Sequence, residues 1–539
     1  MVWLAVLVEG LGAHGGWSTW PGDAAIAPLI VLVALIGAAT LWIVEDPEAT
    51  WLQRGSFLVA SATVLYTEGI SIRGRSYYST DSAAFNQIAA KQLLGGHNPY
   101  ASSMAHQASE LLHGVSSYWT YTLGGGHVAA YSYPAGSFLL QVPLRLLGVH
   151  RLSTDWIDLI AAIAAAGLLF FMLPRWLRWL APALLFTSTF IGSFASGGTD
   201  ALVLPFLLLA VYRWDRFALG RAAGWQRFVA PISLGLACAI KQTPWFCVPF
   251  LLIGIGIEAR AWNRSALKVT GTYAALVGGT FLALNLPFII WNASAWLHGT
   301  LLPLTRPLIP DGQGLVVLAV HGIVRGVHLP ELTAAGALAE LSLLLAYVLW
   351  YRRLKRVWLF LVPLVLFVPG RSLSEYLVDF FPVALVAAFS VAAPAGELLA
   401  GLGSRARAAI VAVPVLGVII LALLSFSSPV LDVHVDRVRT TDRAQVFHSM
   451  TLTLTNRSAG IVHPHVMVLE NGTHPAGFWH LANRARISIQ PQRSTTVTLY
   501  PPPWTWTSLR GQYWLVEVFT PSPAALSTSV PQLWRHGHY

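Results

Sequence analysis

The sequence predicts a polytopic α-helical membrane protein of about twelve spans carrying a C-terminal all-β sandwich. Three observations carry this. First, 55% of the 539 residues are hydrophobic and only 11% charged, with mean hydropathy +0.60. Second, the basic residues behind the formal charge of +10 come in small groups between apolar runs, a pattern that reports membrane orientation and argues against a nucleic-acid surface. Third, beyond Ser427 the helix-length apolar runs give way to short alternating stretches.

Taken in order, residues 1–23 read as an apolar or interfacial lead-in without a basic leader, and so as part of the mature chain. Spans are expected at 24–44, 55–70, 154–173, 177–195, 200–213, 228–241, 245–258, 269–291, 332–351, 357–369, 376–393 and 408–426. A large polar loop occupies 71–153. Within it, 133–149 is interrupted by Pro134 and Pro143 and reads as an interfacial or half-inserted helix. Residues 292–313 read as a loop with several prolines, and 315–327 as a re-entrant or peripheral segment. The domains are therefore 1–427, helical, and 428–539, a β-sandwich with expected strands at 444–455, 462–469, 495–500 and 512–519. Its Trp479, Trp504, Trp506 and Trp514 suit a packed core or a sugar-binding face. Cys238 and Cys247, the only cysteines, exclude a disulfide framework and suit packing.

The stretch 79–100 organises the rest. Ser79 or Thr80 can cap a helix, Asp81 then stands in its first turn, Phe85, Ala89 and Leu93 form an apolar stripe, and Gly95-Gly96 with Asn98-Pro99 ends it. The expectation is a short amphipathic helix lying at the membrane surface. Threading the spans with 71–153 outside places five basic groups, around Arg175, Arg213, Arg260, Arg352 and Arg405, in cytoplasmic loops. The same threading leaves Lys241, Arg306 and Arg371 outside as exceptions, beside Asp81, Asp200 and the Arg371–Tyr376 turn. These cations either snorkel and pair with Asp200, Glu375 or headgroups, or form an anion site for a lipid-linked phosphate opposite a carboxylate base.

Four pieces support the second reading: Asp81 through Gly95-Gly96-His97-Asn98-Pro99-Tyr100; Tyr131-Ser132-Tyr133-Pro134 through Pro143; Gly198-Thr199-Asp200; and Lys241-Gln242-Thr243-Pro244. In their order the chain resembles the GT-C superfamily of polytopic glycosyltransferases, particularly its bacterial and archaeal mannosyltransferase-like branch, over about residues 55–395. The resemblance implies inverting transfer of a sugar, mannose or a close equivalent, from a polyprenyl-phosphate donor to a glycan or lipid acceptor at the outer face of a prokaryotic cytoplasmic membrane. Asp81 matches the catalytic aspartate, and Lys241 and Arg371 match the phosphate-contacting cations. Arg306, Asp200, Tyr376 and His97 are further candidate substrate-binding residues. Many relatives carry a paired acid near the aspartate, whereas Ser79 and Ser82 stand here, so metal-independent chemistry without a cofactor is expected. Tyr133-Pro134-Ala135 also departs from the two prolines frequent in relatives.

Other histidines suit bland roles as well. His106, His113 and His127 share the large loop with His97. His463, His465, His474 and His480 cluster in the sandwich, where a zinc site would require converging ligands. Asn292, Asn456 and Asn471 open glycosylation triplets of a kind frequent by chance. Two rivals to the enzyme remain. A transporter or flippase for lipid-linked saccharides would use the same cations without a base, and a non-enzymatic scaffold would merely present the sandwich.

Overall fold

The computed structural model describes residues 50–187, 198–305, 308–393, 403–441, 446–472, 474, 477–502 and 513–533, with residues 6, 30–37 and 40 before them. Six helices among the described residues are long and apolar enough to cross a membrane: Thr50–Gly74, Ser153–Met172, Thr243–Ala261, Ala266–Leu304, Leu329–Leu349 and Ser404–Ser425. By length and composition they mark the helical part as membrane-associated. Ser404–Ser425 is the clearest case. Only 6% of its apolar window is buried, and Val413, Leu416 and Leu423 stand out from the protein. An apolar face left uncovered by protein needs a lipid environment.

Six spans among the described residues leave the count of twelve an expectation. Of the expected spans, 24–44 lies mostly outside the described residues, as do residues 188–195 of the fourth. The expected spans at 200–213, 228–241 and 357–369 become the shorter apolar helices Asp200–Val211, Arg227–Ile240 and Trp358–Phe367. That at 376–393 is divided between Ser374–Val378 and Phe380–Ser390. A 12-residue helix rises about 18 Å, well under the roughly 30 Å of a hydrocarbon core. Asp200–Val211 packs against Ser153–Met172, Arg227–Ile240 against Ala266–Thr305, and Trp358–Phe367 against Leu329–Leu349 and Phe380–Ser390.

Three further expectations change. The helix Asp81–Leu94 forms, with Thr80 at its N-cap, but it does not lie on a surface: Asp81 and Ala83 through Ala90 are all buried. Its polar middle is the reason. Asn86 accepts hydrogen bonds from Tyr131 (2.6 Å) and Ser137 (2.7 Å), and Gln87 accepts from Tyr78 (2.7 Å). The expected loop at 292–313 is mostly helix: Ala266–Thr305 breaks at Asn292 (φ −160°, ψ 91°), whose side chain accepts from the Ala295 amide (2.9 Å) and restarts the winding. Segment 315–327 yields the short helix Val317–Val320 and leads into a strand, so it is peripheral and not re-entrant.

That strand ties the two parts together. Of three strands contributed by the helical part, β1 (Asp311–Gly312) pairs in parallel with β3 (Arg371–Ser372), whereas β2 (Gly326–His328) joins the C-terminal sheet. One C-terminal sheet runs β4 (Leu431–Thr440), β5 (Phe447–Asn456), β8 (Ser494–Tyr500), β7 (His480–Leu481). The other runs β11 (Gln532–Leu533), β9 (Tyr513–Pro521), β10 (Ala524–Thr528), β2, with β6 (His465–Glu470) also on β9. Leu452, Leu454 and Leu499 of the first sheet meet Val466, Val516 and Val518 of the second in one core with Trp479 and Trp514. These two tryptophans are therefore packing residues; Trp504 and Trp506 lie outside the described residues. A second apolar cluster, with Leu123, Val320 and Leu332 from one side and Leu469, Leu515 and Phe519 from the other, welds the sheets to the helical part.

Candidate functional site

Asp81 is the first residue of its helix, so its carboxylate stands at the helix mouth, where exposed amide groups favour negative charge. The Thr120 amide donates to Asp81 Oδ2 (2.7 Å) and the Thr120 hydroxyl to Oδ1 (3.2 Å). Burial pushes the Asp81 carboxyl above its ordinary value, against the lowering effect of the two Thr120 bonds and the Arg371 charge. A buried carboxylate so perturbed has the character of a base.

Lys241 sits where helix Gln226–Ile240 gives way to extended chain (φ −146°, ψ 160°), which turns its side chain out of the helical repeat. It is 5% exposed, forms an ion pair with Asp200, and lies 4.8 Å from the centre of the Tyr376 ring. The next residue fixes this corner: Gln242 Nε2 donates to the carbonyls of Ser132 (2.9 Å) and Thr300 (2.8 Å). Asp158 and Asp379 are also buried here within electrostatic reach of the pair, and their carboxylate oxygens have no hydrogen-bond partner among the described residues.

Arg371 belongs to β3, held against β1 by the Asp311 amide on the Gly370 carbonyl (3.0 Å) and the Gln313 amide on the Ser372 carbonyl (2.6 Å). The approach is close enough to demand glycine at 312. Its φ is +110°, and a Cβ there would sit 2.0 Å from the Ser372 carbonyl oxygen.

These pieces meet. Asp81, Ser82, Thr120, Tyr133, Lys241, Arg371 and Tyr376 line two adjoining cavities. One, of about 360 Å³, continues between apolar side chains such as Leu304, Leu308, Leu329, Val365 and Leu366. The other, of about 660 Å³, is polar and adds Asp200, Trp119, Tyr121, Asp311, Glu375 and His474. Five of the sequence-derived site residues thus stand on one site: Asp81, Asp200, Lys241, Arg371 and Tyr376. His97 does not. It is exposed beyond the C-terminal end of its helix, where its amide closes the last turn on Gln92 (2.9 Å), and it does not line either cavity. Arg306 lies outside the described residues.

Sequence reasoning missed Thr120, Asp158, Asp379, Asp311 and His474. Asp158 and Asp379, charged residues inside apolar runs, were a usable signal. Nothing in its neighbours marked Thr120 as a partner 39 positions from Asp81. Of the four histidines clustered in the C-terminal part, His474 lines the polar one of these two cavities; His463 meets the Ile487 carbonyl and His480 the Leu481 carbonyl. Among the described residues no group of three or more His, Cys, Asp or Glu is placed to hold a metal ion. The sequence matches no family model, and neither a curated protein nor a solved structure is significantly similar to it.

Proposed function

We propose that the chain is a membrane glycosyltransferase that moves a sugar, mannose or a close equivalent, from a polyprenyl-phosphate donor to a hydroxyl of a glycan or lipid acceptor. One observation carries the reading: a buried carboxylate and two cations share a site with one apolar and one polar arm. The apolar arm suits the first prenyl units of a lipid, the Arg371 and Lys241 corner suits its phosphate, and the polar arm suits hydroxylated rings. In the proposed step Asp81 takes the proton of the acceptor hydroxyl. That oxygen bonds to the anomeric carbon as the bond from this carbon to the phosphate oxygen breaks in line, which inverts the centre. The phosphate leaves with its negative charge facing Arg371 and Lys241, fixed donors that need no reorganisation during reaction. No described group has to supply a metal or cofactor. The GT-C resemblance and an extracytoplasmic site in a prokaryotic membrane belong to this proposal.

The test is transfer by purified protein in lipid nanodiscs, with radiolabelled polyprenyl-phosphate mannose as donor. Wild type should transfer, and Asp81→Asn should lose at least about a hundredfold in rate, the usual range for a positioned base. Undiminished transfer by Asp81→Asn removes the base. A carrier for lipid-linked saccharides is the alternative favoured by a specific observation, the unpartnered buried carboxylates of Asp158 and Asp379. Movement of intact donor across proteoliposomes, without any transfer, would select it.

A further inference from the structure

The polar cavity is closed on one side by the C-terminal part of the chain. After β6, Asn471 (φ +48°) and Gly472 (φ +79°) adopt left-handed backbone, and the Asn471 amide donates to the Tyr513 carbonyl (3.1 Å). This turn carries the chain back over the helical part and delivers His474 to the cavity wall. There His474 Nε2 pairs with Glu517 Oε2. Glu517 is central in its sheet, facing Met467 on β6 and Thr528 on β10, and its side chain is wholly buried. The His474 side chain keeps 15% exposure, so the imidazole is the part of the pair that can reach a ligand. With Nε2 committed to Glu517, Nδ1 is the atom left for that ligand.

The rest of the cavity indicates what the ligand is. Tyr118, Trp119 and Tyr121 supply ring faces, and Asp311 and Glu375 supply carboxylates. Flat apolar faces beside hydroxyl acceptors suit a sugar ring, with its C–H faces and equatorial hydroxyls. The wall is also rigidly placed. The Tyr121 and Phe478 rings pack at 5.3 Å, and β2 pairs with β10 from Val327 opposite Leu526.

We propose that the C-terminal β domain completes the substrate cavity, its His474, oriented by Glu517, donating a hydrogen bond from Nδ1 to a hydroxyl or ring oxygen of the acceptor saccharide. The proposal rests on the glycosyl-transfer reading for what the saccharide is doing there, and on the His474–Glu517 geometry for how it is held. Burial opposes charge on this imidazole, but the Glu517 carboxylate, with Asp311 farther off, outweighs burial and holds it above its ordinary value. When charged, the ring donates from Nδ1, whereas a neutral ring donating from Nε2 to Glu517 would leave Nδ1 an acceptor. The other charged or titratable groups around this cavity are Asp81, Tyr118, Tyr121, Tyr133, Asp200, Lys241, Asp311, Arg371, Glu375 and Tyr376.

Full-length wild type, His474→Gln and Glu517→Gln in nanodiscs test this, with polyprenyl-phosphate mannose as donor and methyl α-D-mannopyranoside as acceptor probe. Thermal melts establish that each variant is folded. His474→Gln should raise KM for the mannoside about tenfold, the loss of one hydrogen bond from a charged donor. Glu517→Gln keeps the ring but removes its charge partner, so the pH at which mannoside KM begins to rise should move downward. A merely structural role would not produce that shift. Equal mannoside KM in wild type and His474→Gln, at every pH, overturns the assignment while leaving the transfer reading standing. If wild type transfers nothing, the transfer reading falls, and calorimetric titration with the mannoside decides the rest. Weaker binding by His474→Gln than by wild type sustains the saccharide contact; equal binding, or none by wild type, ends it.

Discussion

Replacing Thr120 by valine is the sharpest test of the base. Valine keeps the shape of the side chain but removes the hydroxyl that donates to Asp81 Oδ1 at 3.2 Å; the backbone bond to Oδ2 at 2.7 Å remains. A hydrogen bond to a charged acceptor contributes about 1.5–3 kcal/mol, and the length of this one places it at the lower end. Its loss disfavours only the ionised carboxylate, because the protonated acid can do without it. Asp81 is already held above its ordinary value by burial, and Thr120 and Arg371 oppose that shift. Removing one of the opposing groups raises it further, so the acid limb of kcat/KM against pH moves to higher pH. On the acid side the ionised fraction, and with it the rate, should fall about tenfold, since each 1.36 kcal/mol is a factor of ten. Above the limb the variant should recover nearly wild-type rates. The assay is transfer to methyl α-D-mannopyranoside across a pH series. An unmoved limb, or one displaced to lower pH, refutes the assignment of Asp81 as the titrating base.

Other consequences concern geometry and stability. Gly312→Ala places a Cβ against the Ser372 carbonyl at a backbone angle alanine resists, so it should displace β3 and Arg371. Donor KM should rise severalfold more than acceptor KM; equal changes would mean that Arg371 does not meet the donor. Lys241→Ala should weaken donor binding more than acceptor binding, measured by the same two titrations. Lys355 is fully buried between Asp215 (3.0 Å) and Glu258 (3.1 Å), where Tyr351 also donates to Glu258 (2.8 Å). Lys355→Met removes the cation shared by two buried carboxylates and should destabilise the protein by about 3–5 kcal/mol in chemical unfolding. A loss under about 1 kcal/mol would show that water or local rearrangement already serves these acids.

How far the sequence reaches can be judged from single residues. Asp81 was legible because it obeys a local rule, a carboxylate opening a capped helix, and Lys241 and Arg371 because they break one, as cations on the side of the threaded chain where cations are rare. Such local signals need no knowledge of tertiary contacts. The surface position expected for the Asp81 helix failed for the opposite reason. Phe85, Ala89 and Leu93 describe one apolar face, but Asn86 and Gln87 on the other face are covered as well, by partners as distant as Tyr131 and Ser137. Polarity on one face was read as exposure when it reflects satisfied burial. Likewise, Pro303, Pro307 and Pro310 suggested a loop over 292–313, yet the helix runs on to Thr305 and absorbs its break at Asn292 with a side-chain cap. β2 could not be foreseen at all, since three residues from the helical part become a strand only because β10 offers an open edge.

The site's electrostatics divide the labour between its two cations. Lys241 is committed to Asp200, stacked on Tyr376, and surrounded by the further acids Asp158 and Asp379. Lys241 and Asp200 together are close to neutral, so Lys241 can offer an anion directed hydrogen bonds but little net attraction. Arg371 has no carboxylate within ion-pair distance among the described residues, and its charge is felt at Asp81. On the proposed reading, an incoming phosphate would meet Arg371 as the charge with no ion-pair partner among the described residues and Lys241 as an oriented donor. The same arrangement resolves a conflict between binding and catalysis. A base beside two uncompensated cations would be held ionised too firmly to take up a proton. One neutralised cation and a buried carboxylate leave Asp81 both ionisable and basic. If the proposed transfer holds, Asp200 is the residue that would let a phosphate site and a proton acceptor share one cavity.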